Sequence, residues 1–266
     1  MSNRVAIVTG AARGIGARTA LALAADGWSV ALVDACRDDH ALAYSLATRD
    51  DLHAIGNACG EAGADILVAI ADVRDADAVS DAVARTVERF GRLDAAVAAA
   101  GAIAGGTPGW ATSDAAWRAM LEINLHGVRH VAEAAIPRML EAPQPRSGRF
   151  VAVASAAGAV GLLGLAPYAA AKHAVVGYVR ALAADLADSG ITANAVSPGS
   201  TRTAMLEASA KLYGLASIDE LAVHHPSGRI LEPEEPARAI SWLCSAAASG
   251  VTGVNLPVDG GMTAAR

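Results

Sequence analysis

A short apolar strand followed by a glycine-rich turn and a helix opens the chain, and few folds contain that combination. Arg4–Thr9 has the strand pattern, residues 10–16 are spaced Gly-x-x-x-Gly-x-Gly, and an Ala/Leu-rich helix reaches about Ala25. Glycines in such a turn allow the backbone to approach a pyrophosphate, and the N–H groups at the helix N-terminus attract its charge. The spacing differs from the commoner Gly-x-Gly-x-x-Gly, but the strand–turn–helix context predicts a dinucleotide site.

A second apolar strand, Ser29–Val33, ends at Asp34. A carboxylate at this point is expected to accept hydrogen bonds from the adenosine ribose hydroxyls and to repel a 2′-phosphate. The sequence therefore favours NAD over NADP, although Arg13 in the turn is a residue that binds phosphate. The simpler alternative is that Asp34 is a solvated residue at the end of a strand.

Apolar strands and helical segments alternate along the rest of the chain. This alternation predicts one α/β domain over residues 1–266: a three-layer, doubly wound parallel sheet of Rossmann type, with ligands at the carboxyl ends of the strands. Further strands are expected at Ile66–Ala71, Ala95–Ala99, Phe150–Ala154, Thr192–Val196 and Gly253–Leu256. Helices are expected at Ala76–Phe90, Ser113–Ala135, Tyr168–Asp188 and Pro236–Ser245.

Composition narrows the range of functions. The formal net charge of −6 argues against a nucleic-acid-binding surface, and no apolar run approaches the length of a membrane span. The first strand begins so close to Met1 that we expect no signal peptide and a cytoplasmic location. Cys36, Cys59 and Cys244 lack the spacing of metal ligands and are interpreted as reduced thiols. No metal site is predicted.

The chemistry-bearing residues lie in the second half of the chain. Tyr168 and Lys172 are four residues apart on a predicted helix and therefore share a face, and Ser155 lies thirteen residues before Tyr168. A phenol has a pKa of roughly 10, which a nearby ammonium lowers. One exposed cation does not supply a large shift, and an oxidised nicotinamide is a candidate for the second positive charge. The alternative is a Tyr/Lys pair on the surface of a helix.

Taken together, these motifs resemble the short-chain dehydrogenase/reductase family over nearly the whole chain. The resemblance rests on the glycine turn, Ala71-Asp72-Val73, Ile123-Asn124-Leu125, Ser155, Tyr168-x-x-x-Lys172, Pro198-Gly199 and Val258-Asp259-Gly260-Gly261. It implies Tyr168 as the acid/base, Ser155 as the partner of the substrate oxygen, Lys172 on the nicotinamide ribose and Asn124 in a proton relay. The cofactor residues that it implies, together with those of the turn, are Gly10, Arg13, Gly14, Ile15, Gly16, Asp34, Asp72, Val73, Ala99, Ala100, Gly101, Tyr168, Lys172, Pro198, Gly199, Thr201 and Thr203.

One departure from the family concerns the end of the fourth strand. The family usually has Asn-Asn-Ala-Gly there, whereas this chain has Ala98-Ala99-Ala100-Gly101. Two side-chain amides that would brace the strand end are missing. Since the family contacts the ribose largely through backbone here, we expect binding to survive and the bracing to come from other residues.

A second departure is an insertion at residues 36–63, directly after Asp34. It is expected beside the adenosine end of the cofactor, either as a clamp or as a tolerated surface insertion. With the Ala98–Gly101 run it makes the chain similar to the mycofactocin-associated, carveol-dehydrogenase-like subgroup. That resemblance implies NAD that does not exchange and mycofactocin as the electron acceptor. The alternatives are a conventional dehydrogenase/reductase with exchanging NAD(P)(H), or a non-catalytic NAD-binding sensor.

Residues 203–230 are expected to form a lid over the substrate. Their apolar side chains, with Ile103 and Trp110, predict a hydrophobic secondary alcohol or its ketone as substrate; some of them pack a helix in the alternative interpretation. The lid residues singled out are Leu206, Leu212, Tyr213, Leu215, Leu221, His224 and His225. The family resemblance also implies a homotetramer.

Overall fold

All seven strands of the computed structural model, which describes residues 4–264, lie in one parallel sheet in the order β3-β2-β1-β4-β5-β6-β7. The predicted fold class is confirmed. The strands are β1 (Val5–Thr9), β2 (Ser29–Asp34), β3 (Ile66–Ile70), β4 (Ala95–Ala98), β5 (Arg149–Val153), β6 (Thr192–Pro198) and β7 (Asn255–Val258).

Helices cover both faces of the sheet. On one face α1, α2 and α8 pack together, and on the other α3 packs on α5 and α4 on α6. The α-helices are α1 (Gly14–Ala25), α2 (Arg49–Glu61), α3 (Ala76–Phe90), α4 (Asp114–Leu121), α5 (Gly127–Leu140), α6 (Ala166–Asp185), α7 (Ala204–Leu212) and α8 (Glu234–Cys244). None of these helices is long and apolar enough to cross a membrane.

The core follows the period-two alternation of the strands. In β1, Val5 and Ile7 belong to one buried cluster, and Ala6 and Val8 belong to the cluster on the opposite face. Both clusters consist mainly of Ala, Val, Leu and Ile, as a parallel sheet covered on two sides requires.

The segment 36–63, predicted as an insertion throughout, contains a regular helix. Residues 49–61 form α2, which begins with a capping box between Thr48 and Asp51 and connects β2 to β3. Gly56 and Gly60 lower its helix propensity, which is why the sequence pattern concealed it. A Cβ on Gly56 would lie 3.3 Å from Val68, so the glycine allows α2 to pack closely on β3.

The predicted helix over Ser113–Ala135 is two helices joined by a π turn. A π-helical turn over Glu122–His126 separates α4 from α5, and α5 continues to Leu140. Pi turns insert one extra residue into a helix and are frequent at functional sites. Asn124 lies in this turn and is fully buried.

Candidate active site

A cavity of about 670 Å³ runs along the carboxyl ends of the strands. It lies where the chain order reverses, since β1 is flanked by β2 on one side and β4 on the other. Every cofactor residue predicted from the sequence lines this cavity, as does Ser155. Asn124 does not, because it is buried behind Gly101.

The glycine turn lies in contact with the end of β4. Gly10 has φ = +66°, and a Cβ there would lie 2.7 Å from the Ala100 backbone, so only glycine fits. A Cβ on Gly16 would overlap the carbonyl oxygen of Gly10. The N–H of Ala12 in the turn donates a hydrogen bond of 3.1 Å to the Asp34 carboxylate. The turn and the end of β2 therefore form one rigid cradle at the N-terminus of α1.

Residues 35–48, between β2 and α2, cross the cavity from one side to the other, and we call them the strap. Arg13 in the glycine turn donates a hydrogen bond of 2.8 Å to the Ser45 carbonyl and lies over the Tyr44 ring. The Tyr44 hydroxyl accepts a hydrogen bond of 3.2 Å from the Ile103 N–H, beyond the end of β4. The strap thus reaches from Asp34 to the substrate side of the cavity. The Arg13 guanidinium already binds the strap and is therefore occupied before a 2′-phosphate could reach it. The one sequence feature that favoured NADP thus loses its force.

Ion pairs hold the strap on a second side. Asp72, after β3, accepts hydrogen bonds from Arg37 of the strap at 2.8 Å and from Arg74 at 2.6 Å. Arg74 also pairs with Asp39 of the strap at 2.6 Å. Burial by itself raises the pKa of Asp72, but the hydrogen bonds from Arg74 and Arg37 outweigh it and lower that pKa to about 2. The carboxylate therefore stays ionised and the strap anchored across the neutral range.

Val73, one of the predicted cofactor residues, is held in place by α5. Its carbonyl accepts a hydrogen bond of 2.8 Å from Nδ1 of the buried His130. A Cβ on Gly127 would lie 2.6 Å from the Val73 side chain, so the glycine allows this close packing. The sequence analysis missed His130, since its pattern on α5 does not distinguish it from a packing residue.

Three of the four predicted catalytic residues, Ser155, Tyr168 and Lys172, line the cavity together. Lys172 places its Nζ 5.7 Å from the centre of the Tyr168 ring and donates a hydrogen bond of 2.8 Å to the Val153 carbonyl. Burial raises the pKa of Tyr168 to about 12, opposed by a hydrogen bond with Ser155. Burial also lowers the pKa of Lys172 to about 8. The Lys172 ammonium is bound to the Val153 carbonyl, and burial is the main influence on the Tyr168 pKa in this arrangement.

Asn124 supports the loop behind these residues. Its amide donates to the Ala102 carbonyl at 2.9 Å, and its Oδ1 accepts from the Ala102 N–H at 3.3 Å. A Cβ on Gly101 would lie 3.0 Å from the Asn124 Oδ1 and 3.7 Å from the Lys172 Nζ. Gly101 therefore lies against both side chains, and a larger residue there would crowd Asn124.

The bracing that the missing amides would provide comes from Thr9. Its hydroxyl accepts hydrogen bonds from the N–H groups of Ala99 and Ala100, at 3.2 and 3.3 Å. Together with Asn124 on Ala102, this fixes the run after β4 at three points, Ala99, Ala100 and Ala102. The sequence-based expectation that the bracing comes from other residues is confirmed.

The loop after β6, which carries the predicted cofactor residues Pro198, Gly199, Thr201 and Thr203, borders the cavity. Pro198 ends β6, and Thr201 donates a hydrogen bond of 3.0 Å to the Gly199 carbonyl. The Thr203 hydroxyl caps α7 by accepting from the Leu206 N–H at 3.3 Å, and it donates to the Thr201 carbonyl at 3.2 Å. The loop is therefore preorganised by its own hydrogen bonds.

The substrate end of the cavity is apolar. Ile103 and the lid residues Leu206, Tyr213, Leu215, Leu221 and His224 line it as predicted. The prediction for Trp110 was wrong, since this residue is 92% exposed and is not among the residues that line the cavity. Leu212 and His225 are not among the lining residues either. The sequence analysis missed Leu162, Leu163 and Leu165, which approach from the loop before α6.

Comparison with known proteins agrees with this geometry. The family model described as Enoyl-(Acyl carrier protein) reductase matches residues 10–263. The (-)-trans-carveol dehydrogenase of Rhodococcus erythropolis is 35% identical over 99% of this chain and 98% of its own. The cis-4-hydroxycyclohexanecarboxylate dehydrogenase of Sinomonas cyclohexanicum is 39% identical over 99% and 98%. The crystal structure of carveol dehydrogenase from Mycobacterium avium in complex with NAD superposes with a TM-score of 0.93, at 32% identity and over 98% of both chains.

The chain belongs to the short-chain dehydrogenase/reductase family. It is an oxidoreductase of this family that uses NAD. The residues of this short-chain dehydrogenase/reductase fit that cofactor, because the glycine turn presents backbone N–H groups at the start of α1 and Asp34 lies at the end of β2.

Proposed function

We propose that this enzyme interconverts an uncharged, hydrophobic secondary alcohol, of the alicyclic type, and its ketone. The observation that carries the proposal is that Ser155 and Tyr168 line one cavity together with the glycine turn and the apolar residues of the lid. The bound nicotinamide ring would supply or accept the hydride. A substrate carbon that lies between the nicotinamide ring and the Ser155–Tyr168 pair would face both.

The chain's own residues supply the proton chemistry. Tyr168 takes the hydroxyl proton as an alcohol becomes a ketone and returns it in reduction, and Ser155 holds the substrate oxygen. Lys172 binds the ribose and passes protons onward. Asn124 keeps the loop around Gly101 in place, and its Oδ1 lies on the side of Gly101 that also faces the Lys172 Nζ. This position supports a role for Asn124 in a proton relay to Lys172.

The side chains that line the cavity indicate that the substrate is uncharged. Among the described residues at the substrate end, the lining includes His224 but no Arg or Lys. A carboxylate placed there would lose its hydration without gaining a strong partner. The two relatives act, by their names, on ring alcohols, one of them carrying a carboxylate. We therefore expect carveol-like alcohols to be better substrates than hydroxycyclohexanecarboxylates.

We also propose that NAD stays bound between turnovers and that mycofactocin accepts the electrons. The strap supports this, since it crosses the cavity and is held at Arg13, Asp72, Arg74 and Ile103. These contacts would have to break before a dinucleotide leaves. The protein, purified without added cofactor, should retain NAD through dialysis and reduce an artificial electron acceptor with alcohol but not exchange labelled NAD. An empty protein that turns over with free NAD would instead indicate a conventional dehydrogenase.

The substitution Tyr168→Phe separates an enzyme from a non-catalytic NAD-binding sensor. We expect alcohol oxidation to fall by about 10²–10⁴-fold, the usual contribution of a positioned acid/base, while NAD remains bound. Tyr178→Phe on the same helix is the matched control. Equal activity in the Tyr168→Phe variant would contradict the proposed role.

Assembly and location complete the proposal. A homotetramer is expected from the family resemblance, and light scattering of the purified protein tests it. A cytoplasmic location agrees with the three cysteines, all of which are free in the structure.

A further inference from the structure

We propose that His225 is a positioning residue that holds the loop after β6 in register with the nicotinamide end of the cofactor and links this loop to the lid. This rests on the proposed function and on the family resemblance, which implies that Thr203, after the Pro198-Gly199 turn, contacts the nicotinamide carboxamide. His225 lies outside the cavity lining, and none of the predicted catalytic roles uses it.

The hydrogen bond between His225 and Ser200 defines the state of the imidazole. Nε2 of His225 accepts a hydrogen bond of 3.0 Å from the Ser200 N–H. A nitrogen that accepts from an N–H carries no proton, so the proton of the neutral ring is on Nδ1. Burial lowers the pKa of His225, and the side chain is only 3% exposed. The ring is therefore a fixed, neutral acceptor beneath the loop.

Gly199 allows the ring to approach the loop this closely. A Cβ on Gly199 would lie 2.7 Å from Nε2 of His225 and 2.9 Å from the Asp259 Cα. The loop, the ring and the C-terminal segment are thus in three-way contact. The adjoining Ser227 N–H donates to the Gly260 carbonyl at 3.0 Å, which ties the same segment to the end of the chain.

The backbone of His225 connects it to the rest of the lid. The His225 backbone N–H donates to the Ala222 carbonyl at 2.9 Å, at the end of the 3-10 helix over Ile218–His224. Nδ1 is buried and has no partner among the described residues at a full hydrogen-bond distance and angle, but the Leu221 backbone lies near enough to raise the pKa of the ring against the effect of burial. Leu221 also lines the substrate end of the cavity. A small movement of the lid over a substrate would therefore bring the Leu221 carbonyl to Nδ1–H, and the ring would transmit that movement to Ser200.

Two substitutions at position 225 test the proposal. Glutamine places its side-chain oxygen near the position of Nε2 and can still accept from Ser200, whereas leucine cannot. We expect His225→Leu to lower kcat per NAD-loaded protein by about 10–100-fold, as expected for a small misplacement of reacting groups, and His225→Gln to recover most of it. His53→Gln, on the exposed side of α2, controls for loss of an imidazole.

Binding gives a readout that does not depend on the substrate. Protein freed of nucleotide is titrated with NADH and with ADP-ribose, which lacks the nicotinamide. His225→Leu should weaken NADH binding about tenfold more than ADP-ribose binding, whereas a general structural defect weakens both alike. Gly199→Ala, which crowds the same contact without removing the imidazole, should give the same ratio if His225→Leu does not fold.

Equal effects on the two ligands, or a His225→Gln variant as impaired as His225→Leu, would overturn the inference. A failure of the proposed function would give a different result from a failure of this inference. It would leave the Tyr168→Phe enzyme active, whatever the substitutions at position 225 do.

Discussion

The Nζ of Lys172 donates its hydrogen bond to the Val153 carbonyl and lies 5.7 Å from the centre of the Tyr168 ring. The ammonium is thus held by the end of β5 and not by the phenol. Burial dominates the titration of both groups, raising the pKa of Tyr168 to about 12 and lowering that of Lys172 to about 8. The chain alone therefore leaves Tyr168 protonated at neutral pH.

The first prediction concerns the ionisation of Tyr168. Because a positive nicotinamide favours the phenolate, adding NAD⁺ to nucleotide-free protein should lower the Tyr168 pKa from about 12. The difference in phenolate absorbance between the native protein and Tyr168→Phe measures it. Alcohol oxidation, which needs the phenolate, should then rise with pH, and ketone reduction, which needs the phenol, should fall. A Tyr168 pKa that does not change when NAD⁺ is added would show that the second positive charge comes from elsewhere.

The second prediction concerns the strap. Tyr44→Phe removes the acceptor for the Ile103 N–H but keeps the ring, so the strap should open more often and NAD should dissociate faster, by roughly fivefold for a hydrogen bond of about 1 kcal/mol. Stopped-flow displacement of bound NADH provides the measurement. Tyr178→Phe, on α6, should leave the rate unchanged. An unaltered rate in Tyr44→Phe would mean that the strap does not limit release.

The third prediction concerns the brace at the end of β4. Thr9→Val keeps the shape of the side chain but leaves two N–H groups without their acceptor, which should lower the free energy of unfolding by about 1–3 kcal/mol. Denaturant unfolding measures the change. Thr86→Val is the control, because the Thr86 hydroxyl only donates to the Ala82 carbonyl within α3. Similar losses in the two variants would contradict a special role for Thr9.

The fourth prediction concerns Asp72 and acid. Its folded-state pKa of about 2 lies below the ordinary value of 3.8, so its ion pairs stabilise the fold above about pH 4. That contribution is lost as pH falls through 2. Asp72→Asn should therefore be less stable than the native protein at pH 7, by about 1–2 kcal/mol after allowing for solvent screening of the arginines, and the difference should shrink toward pH 2. Thermal unfolding across pH tests this, with the exposed Asp65→Asn as the control; a difference independent of pH would argue against the ion pairs.

The sequence predicted the sheet, the cradle and the cavity-lining cofactor residues, because glycine spacing and strand ends are local signals. It did not reveal α2, because the two glycines in that helix are typical of a loop sequence. Tyr44 and Thr9 escaped notice for a different reason: each acts on a backbone N–H some 60 or 90 residues away along the chain. Such contacts depend on the three-dimensional path of the chain, and no local pattern reports them. The same holds for Lys172, whose preference for the Val153 carbonyl depends on how β5 meets α6.

The π turn at Glu122–His126 makes this region sensitive to chain length. An α-helix rotates the chain by about 100° per residue, and the wider π turn takes up one extra residue without that added rotation. Removing one residue here would close the turn into a continuous α-helix in which α4 and α5 keep their faces. The bulge that brings Asn124 to Ala102 would be lost. A one-residue deletion in this turn should therefore act on the position of Asn124 and leave the packing of the two helices in place.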